Sequence, residues 1–332
     1  MQDSRSTGRF LNHNYTLKTL VIQPDAGLKK SIDTILSNDR QFVIVNGGAR
    51  QFRALVRQST EKQRSRTRLL FNVGSANNGL RRTLCQSTVF HTLPSRAMLT
   101  DALVQFLVKR RWTRLMLVEG RRRGDRQLAA SFRRSVAKFQ VRLVREKKWL
   151  ADVDIRRNAS REVPRFTQGV TYDALIIADE EQDFGQYFLY NTWLPRPVGL
   201  SHGLRPVAWS RAVEQWGATQ LQRRFQRRAK RNMTGLDYAA WAAFRSIGEA
   251  VTRLKSADPD KIAAFLRSDR FALAGFKGRK LSFRRWNGQL RQPIPLVHAS
   301  AVVASAPIAG FLHRRTELDT LGFDENETIC RK

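Results

Sequence analysis

Four times along this chain a short, almost wholly apolar run gives way to a polar loop and then to helical periodicity. Gln41–Val45 leads into Asn46-Gly47-Gly48 and a helix from Ala49. Arg68–Val73 leads into the loop Gly74–Gly79. Thr113–Val118 is followed by Glu119, Gly120 and a basic loop before a helix ending near Lys138. Ala174–Ala178 is followed by Asp179-Glu180-Glu181. A strand that is apolar at nearly every position must be covered on both faces, and strands joined through helices run parallel. The chain therefore reads as α/β, with doubly wound parallel sheets. At 332 residues it exceeds the size at which one hydrophobic core keeps growing, so two such bodies are expected.

The helices carry recognisable ends and faces. Ser95 caps a helix to about Arg110 whose Met98, Leu99, Ala102, Leu103, Phe106 and Leu107 line one side. Asp258-Pro259 is an N-cap and first-turn pair for a helix to about Leu266. Leu236–Leu254 reads as a longer helix with a stripe of Ala240, Phe244, Ile247 and Val251. From Phe271 onward glycines and prolines punctuate short strands at Leu281–Arg284, Ile294–His298 and Ala301–Ala304, an antiparallel meander appended to the α/β core.

The charge is unusual. Sixty Lys and Arg stand against 28 Asp and Glu, a formal net +32, with roughly three arginines to each lysine. Such an excess raises nucleic acid, anionic membrane or an acidic partner. The arginines run along the whole chain, as in Arg81-Arg82, Arg121–Arg123, Arg227-Arg228 and Arg314-Arg315. No zinc-finger spacing, RNP-type strand or heptad-linked basic region accompanies them, so they read as a solvated surface and no nucleic-acid partner is expected. A basic nucleic-acid-binding protein stands as the last alternative.

Catalytic signatures are missing: there is no GxSxG elbow, P-loop, GxGxxG after a strand or HExxH. His13, His91, His202, His298 and His313 are scattered without metal-ligand spacing, and no cofactor is implied. Cys85 and Cys330 belong to no CxxC motif. They permit one disulfide, closing a loop worth at most roughly 5 kcal/mol by chain entropy, or stand as two buried thiols. No run of 18 apolar residues is present, and no basic segment followed by an apolar one opens the sequence. What remains are small, polar loops at the carboxyl ends of strands, where open α/β sheets take their ligands.

A more specific likeness lies in longer segments. They are Thr7–Leu11, His91–Leu99, Phe184-Gly185, Tyr190–Pro197, Glu214–Leu221, Leu236–Trp241, Ala274–Gly278, Trp286–Pro293 and Gly310–Leu321. The chain resembles type I periplasmic binding proteins of the branched-chain amino-acid receptor group. Within them it resembles the substrate-binding protein of an ABC transporter system associated with pyrroloquinoline-quinone-dependent alcohol dehydrogenases. The resemblance implies two lobes joined by hinge crossings that close on a small solute, with no catalysis, a periplasmic location, and ABC permease and ATPase subunits as partners. A ligand sensor on the same fold, linked to the quinoprotein dehydrogenase system, is the alternative it leaves open.

Lobe one would hold residues 1–110 and 234–268, and lobe two 111–233 and 269–332. Ligand contacts would come from Asn46, Gly47, Gly48, Ser75, Ala76, Asn77 and the loop before the helix at Ser95. Lobe two would add Glu119, Asp179 and His202. Family members carry a leader and a first strand ahead of the Thr7–Leu11 segment, so the resemblance implies a lobe one lacking its first strand.

Overall fold

The computed structural model describes residues 8, 12–22, 27–37, 40–61, 67–150 and 155–329. Two compact units emerge: Met1–Ser95 with Gln215–Gln292 and Phe323–Lys332, and Arg96–Glu214 with Pro293–Gly322. Each is assembled from separated segments. Four stretches, 96–110, 215–233, 269–292 and 323–332, fall differently from the lobes expected above. The helix after Ser95 belongs to the second unit, because its apolar side chains join that unit's core. Residues 269–292 belong to the first, where they are tied to the strand ending at His91. Thr7 and the segment 9–11 lie outside the described residues, and so does Cys330; Cys85 is held in a disulfide.

The first unit is built on a parallel sheet of β1 (Phe42–Val45), β2 (Leu69–Asn72) and β3 (Val89–His91), in that order. Val43 stands opposite Leu70, and Leu70 opposite Val89. β2 is central and buried at every position; β1 is at the edge and half-buried throughout. Helices α1 (Leu28–Leu36), α2 (Ala49–Glu61) and the short α3 (Asn78–Thr83) follow or precede these strands. Ile32, Leu36, Phe52, Leu55 and Val56 meet Leu70, Leu80 and Val89 in one core.

Beyond the sheet's other side, α8 (Gly235–Leu254) and α9 (Pro259–Leu266) precede an antiparallel sheet of β9 (Leu273–Ala274), β10 (Lys280–Phe283) and β11 (Leu290–Arg291). Phe71, Phe90, Phe283, Phe271 and Phe265 form a continuous aromatic column with centroids 5.0–5.8 Å apart. Thr234 and Asp237 make a capping box at the head of α8, and Asp258 caps α9. Between Glu214 and Asp237 runs α7 (Ala218–Ala229), whose five-cation flank of Arg223, Arg224, Arg227, Arg228 and Lys230 is exposed.

The second unit holds a four-stranded parallel sheet ordered β5 (Arg142–Lys148), β4 (Arg114–Glu119), β6 (Ala174–Ala178), β7 (Val198–Leu200). Leu115–Leu117 and Ala174–Ile177 are fully buried because helices cover both faces. On one side α4 (Arg96–Lys109) and α5 (Arg123–Lys138) supply Leu103, Leu107, Phe132 and Val136. On the other, α6 (Ile155–Thr167) joins Trp149, Phe184 and Phe188, rings packed edge-on and stacked at 4.9–5.9 Å. A second sheet, antiparallel, is ordered β13 (Ala301–Ala306), β12 (Ile294–His298), β8 (Arg205–Pro206). The expected meander is thus divided, with one three-stranded antiparallel sheet in each unit. No helix among the described residues is long and apolar enough to cross a membrane.

Candidate functional site

In the first unit the carboxyl ends of β1 and β2 converge because of one glycine. A Cβ on Gly74 would lie 2.5 Å from both Asn46 Oδ1 and the Gly47 nitrogen, so only glycine lets these two loops touch. Three of the residues singled out in sequence are placed by this contact: Asn46, Gly47 and, one residue beyond Gly74, Ser75. Gly48 accepts the Phe52 N–H and opens α2. Ser75 is buried, and its hydroxyl accepts from the Asn77 N–H at 3.4 Å. Asn77 Oδ1 caps α3 by accepting from the Leu80 N–H. Ala76 lies half-exposed between them.

Beneath these loops is a network of side chains whose roles the sequence conceals. Asn72, at the end of β2, accepts the Ser75 N–H at 2.9 Å and donates from Nδ2 to the Ser75 carbonyl and to His91 Nδ1. With Nδ1 accepting, the His91 hydrogen sits on Nε2, which makes no hydrogen bond and lies in a ring that meets Phe52 at 5.8 Å. Burial holds this imidazole well below its ordinary pKa, and the charges of Arg81 and Arg267 push the same way, so it is neutral.

Arg81 is 1% exposed. Its guanidinium donates to the carbonyls of Ser75 (2.6 Å), Asn77 (3.0 Å) and Leu93 (2.7 Å) and to Gln289 Oε1 (2.9 Å). Gln289 in turn donates to the His91 and Leu93 carbonyls. One planar cation therefore fixes the loops after both β2 and β3. The reading of Arg81-Arg82 as a solvated surface pair is corrected here: Arg81 is interior, as are Arg284 and Arg291. A local sequence window carries no sign of this, because the acceptors lie up to 208 residues away. Ser95, also buried, is the last residue of this stretch before α4.

The second unit brings its own candidates to the ends of β4, β6 and β7. Glu119 is buried and paired with Arg133 at 2.6 Å, and Arg133 also holds Glu146. Asp179 is fully buried. Its carboxylate accepts backbone N–H groups from Asp183, Phe184 and Gly185 and pairs with His202 Nε2 at 3.1 Å. Burial works to raise its pKa, but the hydrogen bonds from His202 and the three amides outweigh it and hold the group below its ordinary value.

Gly185 permits this turn, since a Cβ there would meet the His202 ring at 2.3 Å. The next acids are engaged as well. Glu180 receives a two-pronged pair from Arg96 at 2.7 and 2.9 Å, and Arg122 pairs with Glu181 and Asp183. Asp125, missed in sequence, accepts the Arg122 and Glu180 N–H groups, and burial raises its pKa. Carboxylates held by arginines and turn amides order a loop. Among the described residues no group of three or more His, Cys, Asp and Glu side chains could hold a metal ion.

No protein-family model and no curated protein matches the chain. Solved structures do. A branched-chain amino acid ABC transporter periplasmic ligand-binding protein from Burkholderia xenovorans superposes with TM-score 0.71, covering 91% of this chain and 88% of its own at 14% identity. The fold is that of the type I periplasmic binding proteins. An ABC transporter substrate-binding protein from Desulfitobacterium hafniense, solved in complex with Leu, gives 0.69 over 91% and 92% at 16% identity. An ABC transporter solute-binding protein from R. palustris, solved with benzoate, gives 0.61 over 86% and 83% at 12% identity. All three are similar in structure and distant in sequence.

Proposed function

We propose that this chain is the solute-binding component of an ABC transporter, a non-catalytic protein that captures a small polar molecule by hinge closure of its two units. The observation that carries this reading is a fold shared over about nine-tenths of the chain with solute-binding proteins. It is joined to polar loops at the strand ends that Gly74, Arg81 and Asn72 hold in fixed positions. A ligand that prefers one arrangement of the units shifts their equilibrium toward it, and that difference is what a transporter reads. A permease and its ATPase are the partners this role requires, and the periplasm the compartment. The link to a quinoprotein alcohol dehydrogenase system rests on the sequence resemblance alone.

A thermal-shift screen of alcohols, organic acids, amino acids and sugars tests the reading. A bound solute at one hundred times its Kd should add about 2.7 kcal/mol of stability. No shift with any solute, together with salt-sensitive binding to DNA, would replace solute capture with nucleic-acid binding.

A further inference from the structure

We infer that the exposed face of α7 docks on an anionic phospholipid surface. The inference stands apart from solute capture and rests on this helix and on the segments of the first unit packed against it.

From Gln215 to Leu236 the chain has six Arg and Lys and no Asp or Glu. α7 turns Ala218, Leu221 and Gln222 inward, which leaves Arg223, Arg224, Arg227 and Arg228 exposed along the other side, with Lys230 just beyond. Among the described residues no carboxylate pairs with Arg223, Arg227, Arg228 or Lys230. Basic pairs in the second unit differ: Arg133 is held by Glu119 and Glu146, Arg134 by Asp101, and Arg122 by Glu181 and Asp183. Even with the flanking Glu214 and Asp237 counted, six cations stand against two acids. Asp237 is already committed to the cap of α8 and to Arg231 at 2.6 Å, and the next acid on α8, Glu249, is held by Arg245 and Arg253.

The segment packed on the helix adds no negative charge. Phe276 lies against Gly217 and beneath the Arg224 guanidinium, and Trp216 lies over Gly278. No Asp or Glu occurs from Arg270 to Gln292. An open cleft of about 530 Å³ runs between Gln220, Arg223, Arg224, Gln226 and Arg227, side chains whose N–H groups suit phosphate oxygens.

Two observations favour a bilayer over a nucleic acid or an acidic protein. Trp216 is 55% exposed at the head of α7, and Leu236, beside the Asp237 that holds Arg231, is 45% exposed at its foot. An indole and a leucyl side chain next to cations fit the boundary between headgroups and acyl chains, whereas a phosphodiester backbone has nothing for Leu236. Arg223 and Arg227, and Arg224 and Arg228, also stand one turn apart and repel. A surface that is negative throughout relieves this without matching each position. Each cation close to such a bilayer multiplies partitioning about five-fold. At about 0.15 M salt the Debye length of about 8 Å exceeds one helical turn, so neighbouring cations act together.

Cosedimentation of the full chain with vesicles of phosphatidylcholine, alone or mixed with phosphatidylglycerol, tests this. A chain of net +32 is drawn to any anionic surface, so the comparison is between variants of equal charge. Arg223→Gln with Arg227→Gln and Arg228→Gln should weaken binding to the mixed vesicles about a hundred-fold. Arg142→Gln with Arg145→Gln and Lys148→Gln removes the same charge from exposed positions of β5 and should weaken it less than about five-fold. Arg223→Lys with Arg227→Lys and Arg228→Lys keeps the charge and should bind like the parent chain, and vesicles of phosphatidylcholine alone should retain none of the four proteins. Equal losses in the two glutamine variants would show that net charge rather than α7 drives binding, and overturn the inference. A glutamine variant of α7 that binds as the parent does overturns it too. Tighter binding to duplex DNA than to the mixed vesicles, lost on the same α7 substitutions, would assign the helix to nucleic acid instead.

Discussion

Asp101 has no exposed surface and gathers an unusual number of donors for one carboxylate. Arg134 and Lys138 from α5 lie 3.1 and 2.8 Å away, the Gly322 N–H donates at 2.7 Å, and the Ser135 hydroxyl donates as well. Thr100, Ser131 and Ser135 extend the network between α4 and α5. A buried charge satisfied on every side costs little to keep, but removing it strands the cations that faced it. Asp101→Ala should therefore lower stability by about 3–5 kcal/mol in urea unfolding, with far-ultraviolet dichroism of the surviving native state unchanged. A loss below about 1 kcal/mol would mean that the cluster behaves as an exposed pair. The arginine at position 81 follows the same logic in the first unit, where its hydrogen bonds organise backbone carbonyls rather than a carboxylate.

At the scale of elements, position in the sheet decides what a strand's side chains contribute. β6 pairs on both sides and is covered on both faces, so all five residues of Ala174–Ala178 are buried. β5 lies at the sheet's end and carries Arg142, Arg145, Glu146, Lys147 and Lys148 among its seven residues, four of them exposed. Ile176→Ala should cost about 2–5 kcal/mol, because the tightly packed side chains on the face it points to cannot fully collapse into the space left. Val144→Ala, half-exposed on β5, should cost less than about 1.5 kcal/mol. Equal losses in denaturant midpoint would mean that the two strands share one level of burial. Helix α4 behaves like β6. It buries Thr100, Asp101, Val104 and Gln105 beside its apolar stripe, since α5 and β13 flank it on different sides.

For the whole molecule the governing quantity is net charge. A formal +32 repels itself in the compact state more than in the expanded one. Bound salt and screening relieve that, since the Debye length falls from about 30 Å at 0.01 M to about 8 Å at 0.15 M. Raising the ionic strength over this range should raise Tm by several degrees, although exposed pairs such as Arg57–Glu61 weaken at the same time. A fall in Tm would show that the ion pairs outweigh the repulsion. The same excess explains why basic pairs in the sequence are poor guides to function here. Some sit on solvated faces, as along α7, and some are interior hydrogen-bonding hubs.

The apolar runs at 41–45, 68–73, 113–118 and 174–178, with the cap at Asp258-Pro259, determined the α/β class, the main strands and the long helices, because burial on two faces leaves a local record in composition. They did not reveal β5 or the three-residue β3, which are too charged or too short to carry that record. Of the candidate site, the glycine-bearing loops were legible, since close backbone approach demands small residues, and Gly74 is the reason they meet. Which acids are free and which arginine is buried was not legible. Arg81 reaches Gln289, Glu119 reaches Arg133, and Asp179 closes on His202, contacts made by topology across tens to hundreds of residues. The fold and the position of the polar edge were thus set by patterns read within a few residues. Which acids and arginines of that edge are paired with one another was decided only when the chain closed.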